Sequence, residues 1–173
     1  MAGLKIPLSP AAGVGILRPV RLFYALLVLL SGSALAGEFP KELQTSLEKA
    51  ERFELLSIRP ARIEKTEGAF NFHGWEVIGR TFVRDSAQRK KLIASLRTGI
   101  EENSGIGAAC FRPRHGVRVT EKGKVTDFII CFECYQMQVY VDDRPQKSIL
   151  VTRTPEPMFN AALSAAKLPL SDK

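Results

Sequence analysis

The chain has 173 residues, a formal net charge of +7 and 45% hydrophobic residues. That length supports a core without metal or disulfide staples. Nucleic-acid binding needs a basic stripe interleaved with stacking aromatics, and only Arg112, Arg114 and Arg118 approach one.

The N-terminal stretch reads as a secretory signal. Lys5, Arg18 and Arg21 precede the apolar run "LFYALLVLL", and Ala34-Leu35-Ala36 has the A-x-A form of a cleavage site. The expected division is a signal over residues 1–36 and a single domain over 37–173. The apolar run is shorter than the ~20 residues that cross a bilayer, so a membrane is expected as partner only through an uncleaved signal. The signal holds three of the cations, and the rest of the chain carries about +4. Export to the periplasm or the extracellular space follows.

Past the signal, "PKELQTSLEKAERF" has Leu43, Leu47 and Ala50 at helical spacing, with Pro40 suited to the first turn. "FELLSIRPA" reads as a short strand stopped by Pro60. A second extended region is strongest from Trp75 to Val83, with bends at Gly68 and Gly74. The clearest helix follows Asp85 and Ser86, either of which can cap it, with Leu92, Leu96 and Ile100 on one face. From Gly116 the pattern changes to period two and runs through a turn at Lys122-Gly123 into "QMQVYV" and "SILVT". "TPEPMFNAALSAAKL" forms a last helix, with Thr154 as its cap and Pro155 at its first position. Short turns between successive strands make them antiparallel. The expected fold is α+β, two-layered, with four to six strands and two to three helices packed on one face.

All three cysteines, Cys110, Cys131 and Cys134, lie around this hairpin. A two-residue loop at Lys122-Gly123 sets Val119, Val117, His115 and Phe111 opposite Thr126, Phe128, Ile130 and Cys134. On the other side Arg118 faces Asp127, Arg114 faces Cys131 and Arg112 faces Glu133. Each opposite-charge pair contributes about 0.2–1 kcal/mol. A slip by one would set Val117 against Asp127 and Phe111 against Glu133. The preferred register demands a positive φ at Lys122.

Along an extended strand Cys131 and Cys134 point to opposite faces and cannot bridge unless the backbone breaks. A bulge near Pro113, which cannot donate to a ladder, would bring Cys110 opposite Cys134. The expected disulfide is therefore Cys110–Cys134, closing a loop worth about 3 kcal/mol. Three unpaired core thiols are the plainer alternative. A zinc site from Cys110, His115, Cys131 and Cys134 has the right ligand types but lacks the usual glycine-bearing knuckle. A thioredoxin-like pair lacks the helix that should begin after its first cysteine.

"CFRPRHG", a turn and "ICFEC", preceded by "FHGWEVIG", resemble a set of uncharacterised exported or lipid-anchored bacterial proteins. The resemblance runs from Phe72 to Tyr140 and implies that the hairpin is one unit. It brings no activity or cofactor.

Candidates for chemistry are His73, His115, Arg112, Arg114 and Glu133, with Trp75 as a possible platform. Histidine is the usual general base near neutral pH, and two arginines can grip a carboxylate or phosphate. No nucleophile elbow, zinc-protease helix, phosphate loop or calcium loop accompanies them, and no cofactor is implied. The chain reads as a small exported binding or accessory domain rather than an enzyme. A hydrolase or transferase using His73 or His115 with Arg112 and Arg114 is the alternative, and it requires converging imidazoles.

Overall fold

The computed structural model describes residues 37–62 and 70–171. The expected signal and the bend at Gly68 lie outside them. Helix α1 (Lys41–Glu48) is followed by β1 (Arg52–Arg62), the hairpin β2 (Asn71–Phe72) and β3 (Trp75–Phe82), and helix α2 (Ser86–Glu101). Then come β4 (His115–Glu121), β5 (Lys124–Cys131), β6 (Gln136–Val141), β7 (Arg144–Pro145), β8 (Ile149–Leu150) and α3 (Glu156–Ala165).

All strand pairs are antiparallel, in the order β2-β3-β1-β4-β5-β6-β7, with β8 also on β6. The α+β expectation holds. Among the described residues the sheet has eight strands rather than four to six, because three strands of two residues each (β2, β7 and β8) are too short to leave a periodic signal. Pro60 does not end its strand. It sits where the β1–β3 register shifts between Ile58 and Arg62, a stretch that asks no ladder bond of it.

The β4–β5 ladder has the expected register, with Glu121 opposite Lys124, Val117 opposite Phe128, and Arg118 opposite Asp127. Its turn places both Lys122 (φ 50°) and Gly123 (φ 80°) in the left-handed region. Primed turns match the right-handed twist of strands, which is why the lysine tolerates this conformation.

Alternation divides the sheet into two apolar faces. On one, Phe53, Leu55, Val117, Val119, Phe128 and Ile130 cluster with Leu47, Leu92, Leu96, Ile100, Phe159 and Leu163 from the helices. On the other, Leu56, Ile58 and Ile129 pack with Phe72 and Trp75 from the β2–β3 hairpin. Gly116 permits that second contact, since a Cβ there would stand 2.8 Å from Ile58 and 2.9 Å from Phe72.

Local chemistry fixes the helix ends. Asp85 caps α2 by accepting from the Ala87 N–H, and Asn103 closes it by accepting from Gly105 and Ile106. At α3 the capping position is Pro155, not Thr154. The Thr154 hydroxyl instead donates to Glu102 at 2.8 Å. Among the described residues no helix is long and apolar enough to cross a membrane.

Candidate functional site

The two histidines do not share a site. His73 occupies the β2–β3 turn with φ 54°, beside Gly74 at φ 94°. Its Nε2 lies 2.7 Å from Asp127 Oδ2 and its ring stacks on Tyr140 at 3.9 Å. His115 has the parity of Val117 and so points to the same face of the sheet as the larger apolar cluster. There its Nε2 meets Asn160 Oδ1 at 2.7 Å, between Phe132 and Phe159. Asp127 has the parity of Ile129, on the opposite face. The sheet itself separates the imidazoles. Burial pushes the His115 pKa down, more than the Asn160 hydrogen bond raises it, so this ring favours its neutral form.

Around His73 the polar groups satisfy one another. Arg118 donates to both oxygens of Asp127. Burial pushes the Asp127 carboxyl up, but the hydrogen bonds from Arg118 and then His73 outweigh it and hold the group below the usual carboxylate range. His73, Asp127 and Asp143 bring ligand atoms within 4.8 Å of one another. A cation there would have to displace a guanidinium that already spans both carboxylate oxygens. This cluster is best described as a latch between the β2–β3 hairpin and the sheet. Trp75 is likewise part of the packing, buried under the Arg62 guanidinium at 3.9 Å and edge-on to Phe111.

The cysteine segment departs from the expected geometry. Strand β5 ends at Cys131, and residues 132–135 turn instead of continuing the ladder. The Cys134 N–H returns to the Cys131 carbonyl at 3.2 Å, and Tyr135 takes φ 56°. The side chains of Cys131 and Cys134 therefore converge and form a disulfide. Cys110, expected to bridge Cys134, is a free and exposed thiol whose Sγ stands 3.6 Å from Cys134 Sγ. The expected pairing assumed a strand through Cys134. The ladder in fact stops at His115 and Ile130.

The same turn redirects the ion pair. Glu133 accepts from Arg114 Nη1 at 2.7 Å, not from Arg112. The Arg114 hydrogen bond holds the Glu133 carboxyl below its usual range. Arg112 contributes its backbone, with its N–H 3.3 Å from Cys134 Sγ. His115 spends its Nε2 on Asn160, and the bridged sulfurs of Cys131 and Cys134 hold no thiolate. The four residues of the alternative zinc reading, Cys110, His115, Cys131 and Cys134, are thus not arranged as a ligand set. Cys110, Arg112, Arg114, Cys131, Glu133 and Cys134 are brought together; His73 is not among them.

One concavity left little mark in the sequence. It is a groove of about 630 Å³ between α1, the start of β5 and the chain from β6 to β8. Leu43, Val141, Ile149 and Leu150 give it apolar walls, and Leu43 and Ile149 also pack on the core. Glu42, Lys124 and Lys147 are exposed along it. Neither histidine lines it. The only sequence signal was the long connection "DDRPQKS", which leaves Ile149 and Leu150 half-covered. No protein-family model, curated protein or solved structure matches the chain.

Proposed function

We propose that the protein is a small exported binding or accessory domain whose ligand lies in the groove between α1 and the β6–β8 segment. One observation carries this reading. The groove has the volume and the mostly apolar walls of a small-molecule site, which commonly spans about 300–1,000 Å³. Its walls suit an apolar body, and Glu42, Lys124 and Lys147 offer polar contacts at the edge. The ligand class is a small amphipathic molecule.

In the same proposal the three helices form one layer over the sheet, and the cysteine turn acts as a rigid clasp near one sheet end. Membership in the exported or lipid-anchored set that shares "CFRPRHG" and "ICFEC" belongs to this proposal too.

The apolar anion 1-anilinonaphthalene-8-sulfonate provides the test. The folded protein should bind it saturably, at one site per chain. Leu43→Glu or Ile149→Glu should weaken binding by about tenfold or more, as a buried charge in an apolar wall does, while His73→Ala should leave it unchanged. Equal binding by all of these variants would refute the groove.

A further inference from the structure

We propose that Cys110, Cys134 and Cys131 form a three-sulfur relay, in which the exposed Cys110 thiol exchanges with the buried disulfide and connects it to thiols in solution. This proposal does not depend on the groove.

Two observations carry it. Cys110 Sγ is 3.6 Å from Cys134 Sγ, so nucleophile and disulfide are already in contact. Cys131 and Cys134 are each only 1% exposed, whereas Cys110 is exposed. A thiolate outside the protein can therefore reach Cys110 but not the bridge. Disulfides are exchanged by direct thiolate attack on sulfur, and here that access is supplied from within.

In the first step Cys110 loses its proton to solvent and its thiolate attacks Cys134 Sγ. The Cys110–Cys134 bond forms and the Cys131–Cys134 bond breaks. The electron pair leaves on Cys131 Sγ, which takes up a proton, so there is no net oxidation. The backbone is placed to help. The Cys134 N–H lies 3.2 Å from Cys131 Sγ and can donate to the departing thiolate. The Arg112 N–H, 3.3 Å from Cys134 Sγ, draws charge from the sulfur under attack.

In the second step an external thiolate attacks Cys110 Sγ of the isomer. A mixed disulfide forms at Cys110 and Cys134 leaves as a thiolate. A second external thiol then resolves the mixed disulfide. All three cysteines end reduced, and the external pair ends as a disulfide. Run backwards, the same steps load the bridge from an external disulfide.

The test uses the full oxidised chain. After incubation at about pH 8, where free thiols ionise appreciably, the sample is acidified and its free thiol is blocked with N-ethylmaleimide. Mass spectrometry should locate the label on Cys110 in one fraction and on Cys131 in another. Label on Cys110 alone would overturn the proposal. Reduction by glutathione supplies a second readout: Cys110→Ser, or native protein alkylated at Cys110, should lose its disulfide about tenfold more slowly or worse. An unchanged rate in either form would contradict the relay. Cys131→Ser should close a Cys110–Cys134 bridge in air, and two persistent free thiols would count against the geometry.

Discussion

Arg118 grips Asp127 with two donors, Nε to Oδ1 at 2.7 Å and Nη2 to Oδ2 at 2.6 Å, and His73 adds a third contact to the same carboxylate. Asp127 is 1% exposed. Breaking such a pair strands a charge in a partly desolvated place. Asp127→Asn should therefore cost about 2–4 kcal/mol in urea unfolding at neutral pH. The sign with pH follows from the lowered pKa of the folded state. The stabilisation is complete above the ordinary carboxylate range near ~4 and is lost as pH falls through the folded value. The gap between wild type and Asp127→Asn should accordingly narrow in acid.

His115 gives a second pH effect. Burial lowers its folded pKa below the ordinary value of about 6.5. Between the two values the unfolded chain binds more protons, so stability rises with pH there. The contribution is whole above ~6.5 and falls away as pH drops through that window. His115→Gln should lose stability at pH 7.5 through poorer packing, yet show a flatter decline down to pH 5.5. Paired urea melts at those two pH values measure it.

Lys122 holds φ 50° at an exposed turn. Asparagine tolerates that conformation better than lysine, and glycine has no Cβ to oppose it. Lys122→Asn should stabilise the protein by about 0.5–1 kcal/mol, read as a rise in melting temperature.

The Arg114–Glu133 pair predicts an asymmetry between neighbouring arginines. A double-mutant cycle on Arg114→Gln and Glu133→Gln should give about 0.5–1 kcal/mol of coupling. The same cycle on Arg112→Gln and Glu133→Gln should give less than about 0.3 kcal/mol. The contrast follows from the turn at residues 132–135, which carries Glu133 to Arg114.

Where alternation ran uninterrupted, sequence and structure agree residue by residue. Glu121 through His115 pair with Lys124 through Ile130 as the hydrophobic and charge patterns demand, because the slip to a three-residue loop would set Asp127 against Val117. Agreement ended where the ladder ended. "FEC" carries no glycine or proline to announce a turn, and Tyr135 adopts φ 56° without any compositional cue. A propensity reading extended the strand by three residues and so turned Cys134 away from Cys131. The groove was hidden for a different reason. It is assembled from α1 and a segment about a hundred residues later, and no local pattern records that meeting. His73 and His115 each precede a glycine, a local signal that says nothing of distance, and only the parity of the strands reveals that a sheet stands between them.

The proposed ligand contact belongs to the α1/β6–β8 groove and not to the surroundings of His73 or His115. Amide chemical-shift mapping by NMR, with 1-anilinonaphthalene-8-sulfonate titrated into the folded protein, tests it most directly. Saturable shifts should concentrate at Glu42, Leu43, Ser46, Lys147, Ile149 and Leu150, leaving residues around His73 and Asp127 in place. Shifts centred on His73, Asp127 and Tyr140, with Leu43 and Ile149 unmoved, would contradict it.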